Sequence, residues 1–176
     1  MDLNHSNESV VVKNTQSKGM GVFSIRPIYQ GEVTVIGRRI KILSERTIYS
    51  LQMEANVHVE LDKPSICINH SCEPNTGVRN NQFGGYNFIA LRDIQSGEEI
   101  TFDYETTEYY SIAVPICCCN SDKCRKIIRG YHFLSDNLRD RYGEYIADYL
   151  KHSSDCYDNK PLCVYHHKKE LNGFVV

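Results

Sequence analysis

Short apolar runs broken by polar residues dominate the first hundred positions of the chain. Val10 to Val12, Gly21 to Ile25, Val33 to Ile42, Val57 to Leu61 and Tyr86 to Leu91 predict strands of modest length. Val57-His58-Val59-Glu60-Leu61 alternates with period two, apolar on one face, as a half-buried strand does. Pro27, Gly31, Pro64, Pro74-Asn75, Gly84-Gly85 and Gly97 punctuate the runs. After Tyr110 the pattern gives way to a cysteine-rich stretch and then to helical spacing from Ser135 to Leu150. Leu138, Tyr142, Tyr145, Ile146, Tyr149 and Leu150 share one helical face, with Ser135 or Asp136 as the cap. Gly143 costs such a helix about 1 kcal/mol relative to alanine and is the place for it to break. From Lys151 onward, polar residues, Pro161 and His166-His167-Lys168-Lys169 read as a loose tail.

One internal echo stands out. Arg26-Pro27-Ile28-Tyr29-Gln30-Gly31-Glu32 and Arg92-Asp93-Ile94-Gln95-Ser96-Gly97-Glu98 share Arg, Ile, Gly and Glu at identical spacing. Each follows an apolar strand and precedes another. They read as two similar strand connections, each using Gly for a positive φ, and are too short for a solenoid repeat.

Composition narrows the classes. The 176 residues suit one domain with a small appendage, and 41% hydrophobic with 24% charged residues excludes wholesale disorder. No apolar run approaches the ~18 residues of a membrane span, and the opening MDLNHSNESVVV does not read as a secretory signal. The expected compartment is therefore intracellular: cytoplasmic, or nuclear in a eukaryote. A net charge of −2 without a basic stripe argues against strong nucleic-acid affinity, including a zinc-stabilised nucleic-acid adaptor. In a reducing compartment the 8 cysteines read as metal ligands or active thiols rather than disulfides.

Cys117, Cys119 and Cys124 form a C-x-C-x4-C arrangement. Alternate residues of an extended segment point the same way, so Cys117 and Cys119 converge while Cys118 turns away. The turn-forming Asn120-Ser121-Asp122 returns Cys124 to the same point, and Arg125 and Lys126 soften the charge of a thiolate cluster. Three thiolates leave a tetrahedral zinc one ligand short, and both Cys72 and Cys67 are upstream candidates for the fourth. Buried thiols without metal are the alternative. A second set, Cys156 and Cys163 with His166, matches no standard metal spacing.

Two further stretches bear on chemistry. Ile68-Asn69-His70-Ser71-Cys72-Glu73-Pro74-Asn75 precedes Gly97-Glu98-Glu99-Ile100-Thr101-Phe102-Asp103-Tyr104, and Lys18-Gly19-Met20-Gly21-Val22-Phe23 lies upstream of both. This order, with the cysteines behind it, resembles the SET-domain protein-lysine N-methyltransferases with a post-SET zinc motif, over roughly residues 11–130. The resemblance implies a mainly β, β-clip-like fold of small sheets with a pseudoknot, plus a short C-terminal helical segment. In the pseudoknot the Asn69-His70-Ser71 segment crosses the stretch ending at Tyr104. The implied division is an N-terminal lead (1–10), a SET domain (11–110), a post-SET zinc segment (111–130) and a C-terminal helix and tail (131–176).

The family's cofactor is S-adenosylmethionine. By resemblance, Lys18, Gly19, Met20 and Gly21 match the loop holding its amino-acid end, Asn69 and His70 match the residues beside its amino group and adenine, and Tyr104 closes the cofactor site. Met20 stands where the family often carries an aromatic. The family uses the cysteine of the NHS motif as the fourth ligand of a structural zinc, giving Cys72, Cys117, Cys119 and Cys124. Ile127 or Ile128 would lie against the adenine, although Lys126 occupies the position after Cys-Arg where the family commonly has Gly.

Methyl transfer to lysine is an in-line displacement by a neutral amine. At a pKa of about 10.4, only about one lysine in a thousand is neutral near pH 7, a cost of about 4 kcal/mol. A narrow apolar channel and the cofactor's positive charge both lower that pKa, so no carboxylate base is required. Tyr104 matches the catalytic tyrosine, whose hydroxyl orients the amine and stabilises the electron-poor methyl group. Phe102 matches a channel position where Phe leaves room for methyls already added, which favours di- or trimethylation. Tyr109 and Tyr110 are candidates for the channel mouth, with cation–π contact to a methylated ammonium, or are simply packing residues. The short stretch between Gly31 and Asn69 leaves little room for a peptide-reading insert, so the protein substrate presenting the lysine is histone or non-histone. Peptide binding is expected to add a strand beside an exposed edge near the channel. The competing class is a non-catalytic SET-like scaffold binding a protein partner. Degenerate scaffolds lose the asparagine or the tyrosine, and both Asn69 and Tyr104 are present here.

Overall fold

The computed structural model describes residues 6–151. Cys156, Cys163, His166 and the tail expected beyond Lys151 lie outside the described residues. Among the described residues ten strands run in chain order as β1 (Val10–Asn14), β2 (Met20–Ser24), β3 (Val33–Ile36), β4 (Arg39–Leu43), β5 (Leu51–Glu54), β6 (Val57–Leu61), β7 (Asn69–His70), β8 (Thr76–Asn80), β9 (Tyr86–Ala90) and β10 (Glu99–Phe102). Two short helices follow, α1 (Asp136–Tyr142) and α2 (Asp148–Lys151). The molecule is mainly β, as the alternating pattern predicts. The Val33 to Ile42 run is the exception in detail: it divides into β3 and β4, which join different sheets.

The sheets have orders β1-β2-β10-β7, β3-β9-β8 and β4-β6-β5. All pairings are antiparallel except β10 with β7, where Thr101 faces Asn69 and Phe102 faces His70. Parallel partners cannot be joined by a tight turn. That one pairing therefore draws together two segments separated by the whole β8–β9 hairpin.

The internal echo has a structural counterpart. The first turn carries β2 to β3, which pairs with β9; the second carries β9 to β10, which pairs with β2. Each hairpin, β1–β2 or β8–β9, thus sends its third strand to the other. Ile28 and Ile94 exchange N–H···O bonds of 2.9 and 2.8 Å at the centre. Gly31 donates to Ala90 and Gly97 donates to Ser24, both at 2.8 Å. Both glycines adopt φ of 85°, which other residues reach only at a cost of about 1–2 kcal/mol.

Val22, Ile28, Val35, Tyr86, Phe88, Ile94 and Ile100 fill a continuous core between these units. The C-terminal segment joins the same core through Leu134, Tyr142, Ile146, Ala147 and Leu150. The predicted helix does break after Tyr142: Gly143 ends α1 at φ 52°, and Ser135 caps its start without a side-chain bond. The apolar stripe is still buried, because Ala147 N–H donates to the Thr106 carbonyl and the Tyr149 hydroxyl to the Thr107 carbonyl, at 2.9 and 2.6 Å.

Candidate active site

Tyr104 opens a single helical turn just past β10. Asp103, extended at φ −86° and ψ 113°, caps that turn by accepting the Glu105 N–H. The Tyr104 N–H donates to His70 Nδ1 at 3.2 Å and its hydroxyl donates to the Ile68 carbonyl at 2.9 Å. The phenol proton is thereby occupied, and the oxygen's lone pairs are left as acceptors. Burial pushes the phenol's pKa well up, and the charges of Glu108 and Glu99 push it further, so the neutral hydroxyl persists across the working pH range. The Phe102 ring sits 4.8 Å from that of Tyr104 and 5.2 Å from that of Phe88.

Phe102 and Tyr104 form the inner wall of a cleft of about 480 Å³, including its open mouth. Leu51, Ile66, Ile68 and Ile112 give it apolar surface, while Thr47, Ser50, Ser65 and Thr107 make part of the lining polar. Tyr109 and Tyr110 are not among its lining residues. They are half-buried and pack with His132 and Phe133, with ring centroids 4.8–6.0 Å apart.

On the other side of β10 lies a polar cradle. The Asn69 side chain donates to the Met20 carbonyl at 3.0 Å and to Glu99 at 2.9 Å, and Lys18 pairs with Glu99 at 2.5 Å. Lys18, Gly19, Met20, Gly21 and Asn69 are thus brought together. Gly21 is required by close approach: a Cβ there would lie 2.7 Å from Thr15 and 2.8 Å from Glu99. A cation and a carboxylate side by side suit the two charges of a zwitterionic amino-acid ligand, so these residues fit the cofactor end that the resemblance implies for them. Met20 is half exposed, and Ile127 is 60% exposed while Ile128 is buried beside Cys72 and Cys117.

His70 is buried and bridges two parts of the site. Its Nδ1 accepts from Tyr104, which puts the ring proton on Nε2, 3.4 Å from Cys72 Sγ. Asp103 lies 3.5 Å from Nδ1, yet burial, with the Arg125 and Lys18 charges, depresses the pKa to about 3. The neutral ring is the form present.

The sulfurs of Cys72, Cys117, Cys119 and Cys124 lie within 4.8 Å of one another, and those of Cys72 and Cys117 are 3.8 Å apart. Tetrahedral zinc with bonds of about 2.3 Å spaces its sulfurs about 3.8 Å apart, so this donor set fits the metal. All four thiols are free, and Cys67 is outside the cluster, in the single turn before Ile68. The chain crosses back at Lys126, whose φ of 65° is the left-handed region where glycine is at ease. This conformation accounts physically for the glycine expected after Cys-Arg.

Arg125 does more than soften thiolate charge. Its guanidinium holds both Asp103 oxygens at 2.7 and 2.8 Å and Glu105 at 2.9 Å. Glu105 in turn accepts from the Arg129 and Gly130 N–H groups, and Tyr142 of α1 donates to Asp103 at 2.8 Å. The cysteine segment and the C-terminal helix are therefore both fastened to the residue that caps the Tyr104 turn. Sequence reasoning missed Asp103, Glu105, Arg125 as a clamp, and Glu99. The adjacent acids Glu98-Glu99 were the available signal, since neighbours on a strand face opposite ways.

Residues 38–105 match the family model for the SET domain. The chain carries a SET domain and is homologous to histone-lysine N-methyltransferases. It is 31% identical over 147 residues to the Variant-silencing SET domain-containing protein of Plasmodium falciparum, covering 70% of this chain and 6% of that protein. To the Histone-lysine N-methyltransferase, H3 lysine-36 specific, of Mycosarcoma maydis it is 31% identical over 135 residues, 65% of this chain and 14% of that protein. A shorter relative, the Probable histone-lysine N-methyltransferase set-23 of Caenorhabditis briggsae, is 28% identical over 140 residues, 65% of this chain and 58% of that protein. The chain thus spans a small part of most of these relatives. Among the described residues no helix is long and apolar enough to cross a membrane.

Proposed function

We propose that the chain is an S-adenosylmethionine-dependent protein-lysine N-methyltransferase with Tyr104 as its catalytic residue. The observation that carries this reading is the placement of β10 between a polar cradle and an aromatic-walled cleft, with Tyr104 and Phe102 both lining that cleft. Lys18, Gly19, Met20, Gly21, Asn69 and His70 would hold the cofactor, with Ile127 against its adenine; bound there, it supplies an electrophilic methyl group. The cleft strips water from the lysine side chain, which lowers the cost of the neutral amine. Tyr104, its own proton held by Ile68, offers lone pairs to the amine N–H and to the electron-poor methyl carbon. Phe102 leaves space beside the nitrogen, consistent with more than one methylation.

Cys72, Cys117, Cys119 and Cys124 would bind a structural zinc as a post-SET motif, and the β7–β10 crossing serves as the pseudoknot of the family. The acceptor is a lysine in a protein, and relatives named for histones put histone H3 first on the panel, with a nuclear setting to match. Isotope-labelled cofactor incubated with histones and with a cell lysate tests the reading. Label should appear on protein lysine and vanish with Tyr104→Phe. Cofactor binding with no transfer to any protein would instead support the scaffold alternative.

A further inference from the structure

Glu108 is the only charged side chain among the described residues lining the cleft. It is 8% exposed, and its backbone N–H donates to the Tyr104 carbonyl at 3.0 Å, which fixes it on the wall that carries the phenol. One carboxylate oxygen accepts the Gln52 N–H at 2.8 Å. A carboxylate has lone pairs for several donors, so this bond orients the group without exhausting it. We propose that Glu108 is the proton acceptor for the target ammonium, taking its proton inside the cleft before methyl transfer. The proposal rests on the lysine methyltransferase reading and adds a carboxylate base where the sequence led to the expectation that desolvation and the cofactor's charge suffice.

The step balances simply. An N–H bond of the ammonium breaks and an O–H bond forms on Glu108, leaving a neutral amine and a neutral acid. The amine lone pair then takes the methyl carbon of the sulfonium donor as the carbon–sulfur bond breaks, its electron pair staying on sulfur. Glu108 returns its proton to water when the methylated product leaves. At the buried Glu108 the first transfer replaces two charges by none, which burial favours. Burial pushes the carboxyl up to about 7, opposed by the Gln52 N–H and the Arg46 guanidinium. A base is most useful near the working pH. The other titratable groups it faces, the Tyr104 and Tyr86 phenols, are themselves pushed upward and stay neutral. Arg46 is a fixed positive charge, so no neighbouring charge switches as Glu108 titrates around pH 7.

The test is the pH dependence of kcat/KM on a peptide substrate, for the full chain with its cofactor. With Glu108 as base, wild type rises with pH and levels off above about 7, since loss of the substrate's own proton is no longer needed beforehand. Glu108→Gln keeps the Gln52 bond, binds cofactor normally, and should lose about 100-fold at pH 7. Its profile should climb tenfold per pH unit without levelling. A peptide carrying the less basic amine of aminoethylcysteine should recover much of that deficit, which a purely structural role for Glu108 would not allow. Glu108→Asp should keep the plateau at a reduced rate. A wild-type profile that climbs without a plateau overturns the proposal and needs no variant. Equal rates and profiles in wild type and Glu108→Gln overturn it too, while leaving the methyltransferase reading intact. If wild type labels no protein lysine at all, both fall together.

Discussion

The two Arg-to-Glu turns are near copies in three dimensions, yet only one leads into the site. In each, the Glu carboxylate pairs with the Arg and caps a backbone N–H, from Tyr29 at 2.8 Å in one and from Gln95 at 3.0 Å in the other. Partial burial works against both carboxylates, but the backbone and arginine contacts outweigh it and hold Glu32 and Glu98 below the ordinary range. Beyond the turns the copies part. After Glu32 comes Val33 and a strand ending at Ile36; after Glu98 comes Glu99 and a strand ending at Phe102, followed by Asp103 and Tyr104. The second strand alone has β7 on its far edge, the cysteine segment clamped to its end and Lys18 bound to its first residue. A local motif thus sets a local shape, and function follows from what packs on its outer side.

The sharpest contrast is between corresponding positions past the two strands. Tyr104→Phe should cut methyl transfer by about 100-fold or more with the fold intact, whereas Arg38→Lys, its counterpart, should leave turnover unchanged. Equal losses in single-turnover assays would mean that the copies are functionally alike. Next comes removal of the zinc proposed for the cysteine cluster. Chelation should abolish activity and expose amides of 103–105 and 117–130 to hydrogen exchange, leaving β3 protected; uniform exposure would contradict a clamp confined to the second copy. Arg125→Ala, which strands Asp103 as a buried unpaired charge, should cost about 3–5 kcal/mol in denaturant unfolding.

Smaller effects refine the comparison. Glu98→Ala should destabilise more than Glu32→Ala, by about 1 kcal/mol, because Glu98 also accepts from Asn75 at 3.1 Å. Urea midpoints of the two variants give the difference directly. At the far end of the scale, Lys126→Gly should stabilise by up to about 1 kcal/mol, since relief of left-handed strain exceeds the added chain entropy. A lower melting temperature for that variant would show that the Lys126 side chain makes a compensating contact.

Much of this was legible before folding. The strand Val57–Leu61 falls on its predicted bounds, because one half-buried face leaves a period-two trace that local sequence cannot hide. The breakpoint at Gly143 was likewise readable. β5, β7 and β8 were not among the predicted strands: β7 has only two residues, and Gln52, Thr76, Gly77 and Asn80 leave β5 and β8 without a clear apolar run. Asn69 and His70 become strand residues only by meeting Thr101 and Phe102.

By itself the sequence determined the short-range geometry: turns that need glycine, strands that alternate, and cysteines spaced to converge from an extended segment. It also carried the motifs from which the family was recognised. Tertiary structure alone decided that the Arg125 guanidinium grips Asp103 and Glu105, and that Glu108 lines the same cleft as Tyr104. The reason is physical. Backbone preferences act over a few residues, while burial, charge pairing and metal-ligand convergence depend on distances that exist only once remote segments have crossed.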